Sequence, residues 1–266
     1  MRRAVTLGVI IARQRSGTGA LGSVLDQHPS VKSLGEVFHH DAIDREPNYF
    51  CFLRDLIAKD PDMGLPGAHR KRFDLYANYL KARTAKPHTI IDIKYSSLHH
   101  FNAHWLGILE SPTLFKILRA REAPVIHLGR KNHLKVFISG RLAELNDEWH
   151  AKSQDAIRTR NLMVDPPACL QFIKTMKREY ERVKKILATH PKLLELEYSE
   201  LFDEGGELYP AIAERLADFL QIPPFRKLKP AFVKQTPELL RNVIENFDQV
   251  AEFLGATEHA WMLRDD

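Results

Sequence analysis

Arg15, Ser16 and Thr18 stand with two glycines, Gly17 and Gly19, in the string RQRSGTGAL (Arg13–Leu21). A cation, two hydroxyls and two residues without a Cβ in a tight turn are the parts of a phosphate cradle. Backbone N–H groups point at the anion, and glycine lets it approach closely. The string follows an apolar run, AVTLGVII (Ala4–Ile11), and leads into an amphipathic stretch ending at His28-Pro29. It therefore reads as the turn between a strand and a helix, extending to Ala20 in the helix's first turn. In the nucleotide-hydrolase loop GxxxxGK[ST], lysine follows the glycines and the hydroxyl holds magnesium. Here the basic residue precedes the glycines and no Gly-Lys-Ser/Thr is present. An ordinary strand-to-helix turn is the structural alternative.

Three further positions carry chemistry. APVIHLGR (Ala123–Arg130) reads as a buried strand ending in Arg130, and Ser139 lies nine residues later on a helical stretch, KNHLKVFISGRLAEL. A guanidinium with a hydroxyl donor suits a doubly charged phosphate; the alternative is an arginine closing a strand and a serine on a solvated helix. Glu36, in HPSVKSLGEVF, has the chemistry of a general base or of a surface carboxylate at a strand end. Lys94 interrupts the apolar string IIDIKYS, where a strand either opens into a cleft or leaves the core.

Taken together, these strings resemble the sulfotransferases that use 3′-phosphoadenosine 5′-phosphosulfate (PAPS) as donor. RSGTG is similar to their 5′-phosphosulfate loop. The RxNxxxxxxS spacing of Arg130, Asn132 and Ser139 resembles the 3′-phosphate grip of the bacterial subgroup that includes trehalose sulfotransferases. That resemblance implies donor binding by Arg15, Ser16, Gly17, Thr18, Gly19, Ala20, Arg130 and Ser139, with Lys234 as an extra phosphate contact. It also implies Glu36 as the base that deprotonates an acceptor hydroxyl, Lys94 on the sulfuryl group and Arg15 on the departing phosphate. Ser96 stands where animal relatives carry a catalytic histidine, so the base role falls to Glu36. His39, His40 and His150, the last in EWHA, are expected at the acceptor pocket, and no metal is required. The implied acceptor is a carbohydrate, glycolipid or other small hydroxylated molecule, and the resemblance also implies a homodimer.

These residues need a scaffold that brings Arg15, Lys94 and Arg130 together. Strands at residues 4–11, 31–38, 89–94, 125–128 and 193–198 alternate with helical stretches, which predicts an α/β fold. The expected form is a P-loop-like three-layer αβα arrangement with a mainly parallel central sheet and helices on both faces. In such sheets ligands lie beyond the carboxyl ends of strands, where all three cations fall. The chain reads as one domain over residues 1–266, with a helical insert at about 45–86 and a C-terminal helical region at about 205–266.

Composition narrows the function classes. The chain has 266 residues, 44% hydrophobic and 27% charged, as in an ordinary soluble globule. Its net charge of +5 is mild, no long basic tract occurs and aromatics are not interleaved with lysines, which argues against a nucleic-acid partner. Two cysteines 118 positions apart read as buried thiols of a reducing compartment. The apolar run at the start is too short for a membrane span and lacks a cleavage site, so a cytoplasmic location and no membrane insertion are expected. Histidines His100 and His104 are spaced i, i+4, but no HExxH glutamate or paired cysteine spacing accompanies them. Two rivals share the strand, loop and helix: a nucleotide-kinase-like phosphoryl transferase, and a non-catalytic nucleotide-binding protein.

Overall fold

The computed structural model describes residues 5–102, 107, 110–146, 161–231 and 239–264. Its strands are β1 (Thr6–Ala12), β2 (Val31–Glu36), β3 (His88–Lys94), β4 (Val125–Gly129) and β5 (Leu193–Glu197). They form one sheet in the order β2-β3-β1-β4-β5, and every pairing is parallel. Parallel strands need covered faces, which is why β1 and β4 are apolar almost throughout. The helices are α1 (Thr18–Gln27), α2 (Tyr49–Lys59), α3 (His69–Lys81), α4 (Thr113–Ala120), α5 (His133–Asn146), α6 (Pro166–Leu187), α7 (Pro210–Leu220) and α8 (Phe247–Gly255).

The period of two along β1 divides the core. Leu7, Val9 and Ile11 face one side, where Tyr49, Phe73 and Tyr76 of α2 and α3, Leu114 of α4 and Val183 of α6 cover them. Ile10 and Ala12 face the other, under Leu21 and Leu25 of α1 and Ile212 and Leu216 of α7. This is the expected three-layer αβα arrangement, with a P-loop-like β1–turn–α1 unit at its centre. Each fully buried Leu or Ile contributes on the order of 1.5–3 kcal/mol. A third apolar cluster joins Leu134 and Ile138 of α5, Ile173 of α6, Val243, and Val250 and Leu254 of α8. It anchors α5 beside the end of β4.

Local chemistry fixes the helix ends. Helix α6 begins with Asp165, whose side chain accepts a hydrogen bond from the Ala168 amide, followed by prolines in its first turn. At the far end of α1, Lys86 Nζ donates to the carbonyls of Asp26, His28 and Val31 at 2.8–3.1 Å. A cation placed there satisfies carbonyls that have no partner within the helix. Both cysteines are buried and free, Cys51 in α2 and Cys169 in α6. Among the described residues, no helix is long and apolar enough to cross a membrane.

Candidate active site at the carboxyl ends of the central strands

The chain lays down β2 and β3 on one side of β1, then β4 and β5 on the other, so the strand order reverses between β1 and β4. Loops leaving the two sides diverge there and open a crevice. The register sets Ala12 level with Lys94 and with Leu128, so the segments carrying Arg15, Lys94 and Arg130 all leave the same edge.

The turn after β1 is strained where it bears its cation. Arg15 has φ 64° and Gly17 φ 84°, both left-handed. Non-glycine residues rarely adopt that conformation, and it clusters at ligand clamps. Gly17 is required twice over, because a Cβ there would lie 2.2 Å from the Tyr198 ring. Gly17 caps α1 without any side-chain hydrogen bond, so the first amides of α1, from Thr18 through Ala20, keep their N–H groups for an anion.

Arg15 Nε donates to Ser139 Oγ at 3.0 Å, and Arg130 Nη1 donates to the Arg15 carbonyl at 2.9 Å. The arginine of the first loop and the arginine–serine pair of the second motif thus form one connected group. The Arg130 guanidinium also lies over the Tyr198 ring, 4.7 Å from its centroid. Burial, and then the charge of Arg130, pull the Arg15 pKa below its usual value, with Tyr198 opposing. Two guanidiniums that disfavour each other are relieved by a shared anion. Beside them lies a small pocket lined in part by Arg13, Ser16, Tyr95, Arg130, His133 and Tyr180. Burial, with help from His259, holds His133 down to about 4, so it is neutral near pH 7.

A second group lies on the β2–β3 side. Lys94 is 5% exposed; its Nζ donates to Asp92 Oδ2 and to Thr18 Oγ1, each at 2.5 Å. Glu36, the last residue of β2, pairs in register with Asp92 after an irregularity between Ser33 and Glu36. Gly35, with φ 68°, supplies that bend, and such a bulge re-aims the residue that follows. Burial is the main cause that raises the Glu36 pKa above the usual carboxylate value. Asp92 adds to the rise, while Lys94, His39 and His40 oppose it. A half-buried carboxylate with raised basicity suits proton abstraction.

His39 and His40 follow on the exposed rim, their rings stacked at 5.4 Å. Among the described residues they form, with Asp41, the one group of three potential metal ligands, its ligand atoms within 4.8 Å of one another. His39 Nδ1 already accepts from the Asp41 amide at 3.3 Å. His99 and His100 lie in a turn, not on a helix, and His100 stacks on Phe38 at 5.4 Å. His104, His150 and Lys234 lie outside the described residues.

Three residues of this edge escape a motif reading. Asp92 pairs with Lys94, and its signal was the i, i+2 spacing that puts both on one face of β3. Tyr198 packs on Gly17, and Glu197 Oε1 accepts from the Lys131 amide at 2.8 Å, fixing the turn that carries Arg130.

No protein-family model matches the sequence, and no curated protein matches it. Among solved structures the chain is similar to a sulfotransferase domain from the curacin biosynthetic pathway. The TM-score is 0.44 at 12% identity, covering 83% of this chain and 75% of that one.

Proposed function

We propose that this chain is a PAPS-dependent sulfotransferase that moves a sulfuryl group to a hydroxyl of a carbohydrate, glycolipid or similar small acceptor. The observation that carries the reading is the Arg15–Ser139–Arg130 connection. It joins a 5′-phosphate loop to a candidate 3′-phosphate grip across the switch point, with a buried lysine and a half-buried carboxylate on its other flank.

In this mechanism the acceptor oxygen bonds to sulfur as the bond from sulfur to the bridging phosphate oxygen breaks. Glu36 takes the acceptor proton, and 3′-phosphoadenosine 5′-phosphate departs. Arg15 and the amides from Ser16 to Ala20 stabilise charge growing on the leaving oxygen. Lys94 has three N–H donors, two of them spent on Asp92 and Thr18, and offers the third to a sulfonate oxygen. Ser139 accepts from Arg15 and keeps its own O–H to donate, with Arg130, to the 3′-phosphate. His39 and His40, exposed beside Glu36, meet the acceptor. No step calls for a metal, because arginine, lysine and amide donors serve the developing charge.

Release of 3′-phosphoadenosine 5′-phosphate from PAPS, measured across sugars, glycolipids and phenols, tests the reading. Acceptor-dependent release by the wild type, lost in Glu36→Gln, is the expected result. No release with any acceptor would contradict it.

A further inference from the structure

Asp92 is an expensive residue for its place. It lies on β3, an interior strand of the five-stranded parallel sheet, 6% exposed, between Ile91 and Ile93. One oxygen, Oδ2, holds Lys94; the other, Oδ1, is buried without a hydrogen-bond partner among the described residues. A buried carboxylate oxygen left unpaired costs stability. Replacing a buried ion pair by apolar residues is often neutral or stabilising, so stability alone does not account for Asp92 and Lys94 here. Stability sacrificed in this way is expected at functional positions.

The placement of Asp92 is specific. Its side chain is on the α1 face of β3, the same face as Lys94, and its register partner on β2 is Glu36. We propose that Asp92 is the positioning residue of this site: its carboxylate fixes the Lys94 ammonium under the first turn of α1 and screens Glu36 from that positive charge. The role rests on the proposed reading of Glu36 as base and Lys94 as sulfonate ligand. Without Asp92, a lysine charge would face the base directly and favour its ionised, weakly basic form. With it, Lys94 is neutralised where it stands, its direction is set by two acceptors, and Glu36 keeps a like-charged neighbour. The groups acting on Glu36 are Asp92 and Lys94 from β3 and His39 and His40 from the segment after β2. Helix α1, which packs on β2, brings Thr18 to Lys94, while its Asp26 lies at the other end with Lys32 at 3.1 Å.

The test uses Asp92→Asn in the full chain, since the amide oxygen still accepts from Lys94 while the charge is gone. Carbon-13 carboxyl titration of Glu36 is followed in wild type and variant, beside the pH profile of sulfuryl transfer. The Glu36 midpoint and the acidic limb of the profile are expected to move to lower pH together, with a lower plateau rate. An unchanged Glu36 midpoint overturns the proposal, because a merely structural aspartate would leave it in place. The titration needs no turnover, so the two claims separate. A shifted midpoint in a chain that never transfers sulfuryl groups supports the electrostatic role of Asp92 and sinks the proposed reaction. If Asp92→Asn does not fold, Lys94→Met is compared with the double variant Asp92→Asn/Lys94→Met. A double variant that melts higher than Lys94→Met supports the pairing, and one that melts no higher overturns it.

Discussion

The two flanks of the β1 turn are built on opposite principles. On the β4 side, two guanidiniums, those of Arg15 and Arg130, are brought together with a serine and an aromatic ring. On the β3 side, Lys94 is paired with Asp92, whose register neighbour on β2 is a second carboxylate, Glu36. Clustered guanidiniums suit an anionic ligand, whereas a lysine set among carboxylates shifts where protons are held. In the proposed reading the first flank binds the donor and the second carries the proton transfer. The turn between them serves both, since Arg15 reaches Ser139 while Thr18, at the start of α1, accepts from Lys94.

That division is broken most sharply by Glu36→Gln. Losing a positioned base costs about 10²–10⁴-fold in turnover, and affinity for 3′-phosphoadenosine 5′-phosphate should stay as in the wild type. Steady-state kinetics and calorimetry on the same preparation measure both, and a loss of affinity matching the loss of rate would merge the two flanks. Arg130→Ala is the mirror experiment. Hydrogen bonds to charged groups contribute about 1.5–3 kcal/mol, so the 3′-phosphorylated nucleotide should bind at least about tenfold more weakly while AMP binding changes little.

The turn itself is tested by Gly17→Ala. A left-handed φ and a clash with the Tyr198 ring should together destabilise the fold by about 1–3 kcal/mol in urea unfolding and weaken nucleotide binding as well. The companion Tyr198→Ala removes the clash but leaves the strain, so the double variant should recover part of the loss.

The smallest effect sharpens the reactive flank. The folded Glu36 carboxyl binds its proton more tightly than an unfolded glutamate does, chiefly because of burial. Its contribution to stability is therefore present at low pH and lost as pH rises through its folded pKa. Turnover runs the other way, falling as pH drops through that same value. Above it, Glu36→Gln should raise the melting temperature slightly even as it abolishes activity, and an unchanged or lower melting temperature there would remove the strain assigned to this carboxylate.

Much of this edge was legible in the residues. The order of apolar strands and amphipathic helices gave the α/β class, because covered parallel strands leave continuous apolar runs such as Ala4–Ile11. The Arg15 turn and the Arg130–Ser139 spacing were visible because each is contiguous or confined to one strand and the next helix. Asp92 was readable in principle, two positions from Lys94 in IIDIK, but nothing in the string tells a strand aspartate facing Glu36 from one facing solvent. Tyr198 was beyond reach: its contact with Gly17 spans most of the chain and depends on β5 pairing with β4. The helix α1 end held by Lys86 was hidden for the same reason.

The most direct measurement is thermal denaturation in the presence of 3′-phosphoadenosine 5′-phosphate, ADP, ATP or AMP, each at about 100 times its dissociation constant or at its solubility limit. A ligand at that excess stabilises the fold by about 2.7 kcal/mol. The 3′-phosphorylated nucleotide is expected to stabilise the chain at far lower concentration than the others, and Arg130→Ala to erase its advantage. Equal or better stabilisation by ATP would contradict it and point to phosphoryl transfer, and no response to any of the four would leave a fold that does not bind the donor.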